Sequence, residues 1–279
     1  MKNILLNNGV TIPEIGFGTW RTPDGATCIE SVKEAIRIGH RHIDGAALYG
    51  NEISVGEAIR NCGVDRKELF LTSKLWNTEQ DYDSAIQACE KTLSDLGTDY
   101  LDLYLIHWPS PASCRDRWEE RNADVWRAFE TLHRDGKIRA IGVSNFLEHH
   151  LEALEKTASI RPAVNQIEIN PGFAREELVR HCTNKGIAIE AWSPLANGNV
   201  FKLDTLKQLA DKYDRTVSQI IMRWLLQRDI IPLTKSVTPS RIVENFSVFD
   251  FELSAEDVML VNAITTNVSS GTHPDRADF

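Results

Sequence analysis

Four side chains suited to acid–base chemistry end or follow apolar runs of the chain. Asp44 closes HID, Tyr49 comes in the loop just after it, Lys74 closes LFLTSK, and His107 closes LYLIH. A tyrosine is a weak acid with a reference pKa of ~10, and a neighbouring ammonium stabilises the phenolate and brings that value toward neutral pH, where proton donation is efficient. Asp44 would fix Lys74 and balance its charge, and His107 would orient a carbonyl oxygen. The set is a proton donor built to protonate an oxygen. Each member also has a plain structural reading: an Asp–Lys ion pair, a satisfied polar histidine, a packed aromatic in the Tyr-Gly-Asn-Glu loop. Their common place at strand ends favours the chemical reading.

Such a place requires elements to define it. Short β-branched or apolar runs alternate with segments of helical period, about eight times over, which is the pattern of a parallel α/β protein. The spacing predicts strands at residues 14–18, 42–44, 69–74, 101–107, 140–144, 163–168, 187–192 and 230–233. Helices are expected at residues 27–39, 52–61, 81–96, 123–135, 175–185, 203–213 and 241–246. Asp24, Asn51, Thr78 and Asp81 are candidate helix caps, and Gly39, Gly63, Gly97, Gly136 and Gly186 stand where helices should end. LYLIH and IAIEAW are nearly continuous in apolar residues, as in strands buried on both faces. Asn8-Gly9 between two short apolar runs signals a hairpin. No Pro/Gly/Ser-rich linker divides the chain, so one domain spanning residues 1–279 is expected, a (β/α)8 TIM barrel with an N-terminal β-hairpin. In such barrels chemistry takes place at the C-terminal ends of the strands, where the four residues lie.

Seven segments then carry a resemblance: Gly16-Phe17-Gly18-Thr19-Trp20, HIDGAALYGNE, LTSKLW, DLYLIHWP, IGVSNF, VNQIEINP and PLTKSVTPSRIVEN. In this order they resemble the aldo-keto reductase family, over essentially the whole chain. The resemblance implies a barrel enzyme that reduces aldehydes and ketones with NADP(H), with Asp44, Tyr49, Lys74 and His107 on the positions of the family's tetrad and Tyr49 as its acid. It also implies cofactor contacts. Thr19 and Asp44 fall among them, Ser144, Asn145 and Gln166 match partners of the nicotinamide carboxamide, and Trp192 matches the residue that stacks on the ring. Ser193 and Leu195 match the loop along the pyrophosphate. Lys235, Ser236, Val237, Thr238, Arg241, Glu244 and Asn245 match the adenosine end, where Lys235 and Arg241 would grip the 2′-phosphate. Read from the residues alone, two cations, hydroxyls and backbone N–H groups before a helix start also make a phosphate site, or an ordinary capped helix with solvated charges. Trp20, Trp76 and Trp108, together with Tyr49 and His107, would wall an aromatic substrate pocket, although each tryptophan alone reads equally as core packing.

The chain departs from the family's pattern in places. Gly45 stands where alanine or threonine is usual, and Leu233-Thr234 precede Lys235. The loop after His107 carries Arg115, Arg117 and Arg121, read either as contacts to a polar substrate or as a solvated loop. The short tail GTHPDRADF implies a more open pocket.

Composition sets outer bounds. With 31 Lys+Arg against 40 Asp+Glu, a net charge of −9 and no basic stripe, nucleic-acid partners are disfavoured. Five scattered cysteines without a C-x-x-C pair argue against a disulfide framework or a structural zinc site. With no signal peptide and no membrane-length apolar run, the expectation is a cytoplasmic enzyme, a monomer, without metal. His40-Arg41-His42 leads into a strand from its N-terminal side, and His149-His150 is expected on an exposed helix flank; neither is seen with carboxylates at ligand spacing. Gly16-x-Gly18 lacks the third glycine of a dinucleotide fingerprint, position 21 being Arg21. Two other classes stay open: a non-catalytic NADPH-binding protein, and a metal-dependent barrel hydrolase.

Overall fold

The computed structural model describes residues 2–279. Its first element is the expected hairpin, in which β1 (Asn3–Leu5) pairs antiparallel with β2 (Thr11–Pro13), Leu5 opposite Thr11. Gly9 makes the turn with φ of 85°, a left-handed value that glycine adopts without a Cβ clash. Eight parallel strands follow: β3 (Gly16–Gly18), β4 (His42–Asp44), β5 (Phe70–Leu75), β6 (Leu101–Ile106), β7 (Ile138–Ser144), β8 (Val164–Glu168), β9 (Ala188–Trp192) and β10 (Ile230–Thr234). Each pairs with the next, and β10 returns to β3, closing the barrel. All eight lie within a residue or two of the expected positions.

The helices are α1 (Ala26–Ile38), α2 (Glu52–Arg60), α3 (Tyr82–Leu96), α4 (Trp118–Arg134), α5 (Glu148–Glu155), α6 (Glu176–Asn184), α7 (Asp204–Tyr213), α8 (Val217–Leu226), α9 (Pro239–Phe246) and α10 (Ala255–Asn262). Among the described residues, α5, α8 and α10 go beyond the seven spans read from periodicity. The helix expected from residue 123 begins at Trp118, because its first turn is anchored by tertiary contacts: Arg121 is buried, and Trp118 packs edge-on against His150.

The expected caps hold only in part. Asp81 forms a full capping box with Ser84, which satisfies helix N–H groups that would otherwise lack partners. Asp24 instead accepts from the Ser54 hydroxyl, Thr78 donates to Glu79, and Asn51 at the start of α2 turns its amide away to the Thr19 and Thr22 carbonyls. The expected glycines do take positive φ. Gly56 matters for another reason: a Cβ there would lie 2.2 Å from the Leu96 carbonyl, so α2 and the end of α3 touch backbone to backbone.

Every residue of β5, β6, β8 and β10 is buried, and the apolar run LYLI of β6 reflects burial on both faces, while β5 and β8 also carry buried polar residues. Alternate strand residues face the barrel axis or the helices. The outward set, including Tyr104, Ile106, Ile141 and Ile167, joins the main core beneath the helices. The inward set changes character with height. Phe70, Leu103, Leu105, Val164 and Ile231 fill the lower interior together with Leu6 and Ile12 of the hairpin. The hairpin closes this floor, its Asn7 and Asn8 amides donating to the Pro162 and Arg139 carbonyls. Above the floor the interior turns polar, with His42, Asp44, Thr72, Lys74, Gln166 and Glu190 all buried. Among the described residues no helix is long and apolar enough to cross a membrane. The five cysteines are free, as expected.

Candidate active site

β4 and β5 bring Asp44 and Lys74 together at the upper end of the barrel. Lys74 Nζ donates to both Asp44 carboxylate oxygens and to the Gly45 carbonyl, each at 2.8 Å. Neither residue is solvated, so each charge depends on the other, and removing one partner from such a pair typically costs about 3–5 kcal/mol. A short 3-10 turn, Ala47–Tyr49, follows β4 and swings the Tyr49 hydroxyl to 3.4 Å from Lys74 Nζ. His107, one residue past β6, stands edge-on to Tyr49 with ring centroids 6.0 Å apart. The four residues thus meet at one end of the barrel.

The electrostatics correct one expectation. Lys74 does pull the Tyr49 pKa down, but burial is the larger effect, and the net direction is upward from 10.0. Burial opposes the Lys74 charge as well, yet Asp44, Tyr49 and Glu190 outweigh it and hold the ammonium above its ordinary value. Burial, and then Lys74, push His107 well below 6.5, so its imidazole is neutral. Tyr49 therefore keeps its proton until a stronger base forms beside it.

A second chain of contacts runs around the same rim. The Asn145 amide donates to the His107 carbonyl at 2.9 Å, and its Oδ1 accepts from Trp192 Nε1 at 2.9 Å, which fixes the indole. The Ser144 hydroxyl donates to the Gln166 carbonyl, and Thr19 donates to the Asp44 carbonyl. Asn145 and Ser193 hold φ of 64° and 48°, left-handed values rare for residues with side chains, at the ends of β7 and β9. Leu195 lies half-buried in the loop after β9. The Gln166 Nε2 donates to Asp44 and Glu190, while its Oε1 has no partner among the described residues. This edge, with an indole held in place and an amide oxygen left free, fits a flat ring carrying a carboxamide.

At the far end, Lys235, Val237, Thr238 and Arg241 are exposed where α9 begins. Thr238 caps α9 without a side-chain hydrogen bond, Ser236 Oγ accepts the Thr238 N–H, and Arg241 makes no side-chain hydrogen bond or ion pair among the described residues. Lys235 reaches the Arg21 carbonyl at 3.4 Å, and its pKa is lowered by burial and then by Arg21. Arg21, not singled out in the sequence, adds a third cation here. Glu244 is engaged by the Thr216 hydroxyl at 2.8 Å, and Asn245 is buried.

The aromatic wall differs from expectation. Trp76 and Trp108 do meet His107 and Trp192, at ring separations of 5.1 and 6.5 Å. Trp20 is 39% exposed and lies under the Arg21 guanidinium, without a ring contact to that group among the described residues. Phe279 joins the wall formed by the other two, stacking on Trp76 and meeting Trp108 edge-on. Only a tail folded back across the barrel could reveal this. The short tail does not simply leave the mouth open: Phe279 O accepts from Asn77 and from the Ala112 N–H, and Arg115 donates to the Ala277 carbonyl. Arg117 pairs with Gln80, and Arg121 is buried against the Glu79 and Trp108 carbonyls. These three arginines fasten loops.

The His149-His150 pair also corrects the sequence reading. His150 is fully buried, and the tail brings Asp275 to within 3.0 Å of His149 Nε2 and 2.9 Å of His150 Nε2. His150 Nδ1 accepts the Leu147 N–H, so its hydrogen sits on Nε2, which lies close to Asp275 but off the line of a hydrogen bond to it. His149 Nε2 makes the hydrogen bond to Asp275 that ties down the tail, and the protonated Nε2 of His150 offers no lone pair to a metal.

Fold and site together define a (β/α)8 barrel enzyme that gathers Asp44, Tyr49, Lys74 and His107 at one rim, next to Trp192 and the free Gln166 Oε1. Residues 14–266 match the aldo/keto reductase family, and the chain belongs to it. It is 47% identical over 276 residues to a glyoxal reductase of Bacillus subtilis, covering 99% of this chain and 97% of that one. Among solved structures, MGS-M4, an aldo-keto reductase from a Medee basin deep-sea metagenome library, superposes with a TM-score of 0.94 at 41% identity, covering 99% of this chain and 100% of the other. An aldo-keto reductase of Bombyx mori in complex with NADP gives 0.85 at 36% identity, covering 96% and 94%.

Proposed function

We propose that this enzyme, an NADP(H)-dependent oxidoreductase, reduces a small aldehyde or ketone with Tyr49 as the proton donor. The observation that carries the assignment is Tyr49 Oη at 3.4 Å from a Lys74 ammonium that Asp44 and Gly45 hold in place. When bound along this rim, NADPH would supply a hydride to the carbonyl carbon. The C=O electron pair moves to oxygen, and the Tyr49 O–H bond breaks as its proton passes to that oxygen. An alkoxide is a stronger base than a phenolate, so this transfer runs downhill even from a tyrosine raised by burial. Lys74 meets the phenolate charge without having to move. Neutral His107 directs the carbonyl, and Trp76 and Trp108 hold the apolar remainder of the substrate.

The cofactor would lie along the rim: its carboxamide against Ser144, Asn145 and Gln166, its ring on Trp192, its pyrophosphate along Ser193 and Leu195, and its 2′-phosphate at Lys235 and Arg241. Thr19 supports the Asp44 end. Ser236, Val237, Thr238, Glu244 and Asn245 frame the adenosine. The Bacillus subtilis relative's name makes glyoxal a first substrate to try. A monomer working in the cytoplasm is the simplest setting for such an enzyme.

The test is Tyr49→Phe, assayed by NADPH consumption with a panel of aldehydes and dicarbonyls. Loss of turnover by about 10²–10⁴-fold with NADPH binding retained is expected for removal of a general acid. Turnover near that of the unaltered enzyme would rule Tyr49 out.

A further inference from the structure

Glu190, inward-facing in β9, is fully buried and, apart from its share in holding the Lys74 ammonium, has no part in the reaction described above. Its Oε2 accepts from Gln166 Nε2 at 2.7 Å, and the same nitrogen donates to Asp44 Oδ1 at 2.9 Å. Gln166 and Glu190 are also register partners on neighbouring strands, so their side chains rise side by side from the same height. Both N–H bonds of the Gln166 amide are thereby spent on carboxyl groups. Turning the amide over would set its carbonyl oxygen against the Asp44 carboxylate, which offers only acceptors. Asp44 alone would leave the amide plane free to rotate about one hydrogen bond. A second acceptor on the other N–H fixes the plane.

From this geometry we infer that Glu190 is a positioning residue that locks the Gln166 amide, so that Oε1 is the one atom it presents toward the cofactor groove. Burial, and then Asp44, raise the Glu190 pKa to about 8, so the group is largely uncharged at neutral pH. Its proton belongs on Oε1, which has no hydrogen-bond partner and lies 3.6 Å from His42 Nε2, and Oε2 then remains the acceptor for Gln166. A locked Oε1 can accept from an N–H and cannot donate. The site therefore selects a ring substituent with an amide N–H, such as a carboxamide, over one that ends in a ketone. The inference rests on the reading that places Gln166 beside the nicotinamide.

The experiment compares dissociation constants, without turnover, for NADPH and its 3-acetylpyridine analogue, in which a methyl replaces the amide nitrogen. The unaltered enzyme should bind NADPH about tenfold more tightly, the worth of one hydrogen bond between partners held in place. Glu190→Leu should reduce that ratio to threefold or less. Glu190→Gln, whose amide oxygen can still accept from Gln166, should keep most of it. Glu190→Met fills a similar volume and gives the same reading should the leucine variant fail to fold. A ratio unchanged in Glu190→Leu or Glu190→Met, or an equal weakening of both ligands, would overturn the inference. If the unaltered enzyme shows no preference, the placement of Gln166 at the carboxamide fails instead, and the inference falls with it.

Discussion

The Phe279 ring stacks on Trp76 with centroids 5.7 Å apart and planes 25° from parallel, so the tail supplies an aromatic face to a site whose Asp44, Tyr49, Lys74 and His107 come from the first half of the barrel. Because Trp76 also packs on His107, this contact passes along the aromatic wall to the residue proposed to direct the carbonyl.

Phe279→Ala should therefore act on binding before chemistry. Aromatic pairs contribute about 0.5–1.5 kcal/mol beyond the area they bury, so KM for an aromatic aldehyde should rise severalfold. For glyoxal, which has no ring to place against the wall, KM should hardly change. Steady-state kinetics with the two substrates separate these outcomes, and an equal loss for both would assign Phe279 to tail folding.

Arg241, in the first turn of α9, makes no hydrogen bond or ion pair with its side chain among the described residues, and the proposed 2′-phosphate site includes it. Arg241→Ala should weaken NADPH binding by about tenfold or more, the worth of a charge-assisted hydrogen bond, and leave NADH binding nearly unchanged. Fluorescence titration with both cofactors measures the preference, and a variant with the preference intact would exclude the site.

Arg121 is the only arginine among the largest fully buried side chains. Burial lowers its pKa to about 10, and it remains charged at neutral pH, donating to the Glu79 and Trp108 carbonyls. Arg121→Ala removes the donors that satisfy these carbonyls and leaves a cavity, for a loss of about 3 kcal/mol. Denaturant unfolding measures it. A change below about 1 kcal/mol would show that water replaces the guanidinium.

On the acid side, His40 sits between Phe17 and Phe246 without a hydrogen bond, and burial lowers its pKa from 6.5 to about 3. The folded protein refuses a proton that the unfolded chain accepts, so stability falls as pH drops from 6.5 toward 3. His40→Leu removes that loss. Relative to its effect at pH 7, the substitution should add about 3 kcal/mol near pH 4, read from urea unfolding at both pH values.

Glu52 works in the opposite direction. Burial raises its pKa from 4.5 to about 7, against the hydrogen bonds it accepts from Ser73 and Thr92. Between those values the folded state keeps a proton that the unfolded chain has released, so stability falls as pH rises through this window. Glu52→Gln should flatten the decline between pH 5 and pH 8. An unaltered slope would show that Glu52 is ionised throughout.

Period and strand-end position placed all eight barrel strands, the hairpin at Asn8-Gly9 and the meeting of Asp44, Tyr49, Lys74 and His107. These properties are local: short apolar or β-branched runs mark the strands, and a closed parallel barrel gathers every strand's C-terminal end at one rim. The residues that the sequence assigned differently are held by long-range contacts. Phe279 and Asp275 reach the site and His150 only because the tail folds back. Arg121 became a buried clamp, and Tyr49 a tyrosine whose burial outweighs its lysine. Desolvation depends on what every other segment places around a group, and no spacing along the chain encodes it. Glu190 shows the same division: its sequence neighbours make it a strand residue, and only the closed barrel sets its carboxyl against the amide of Gln166.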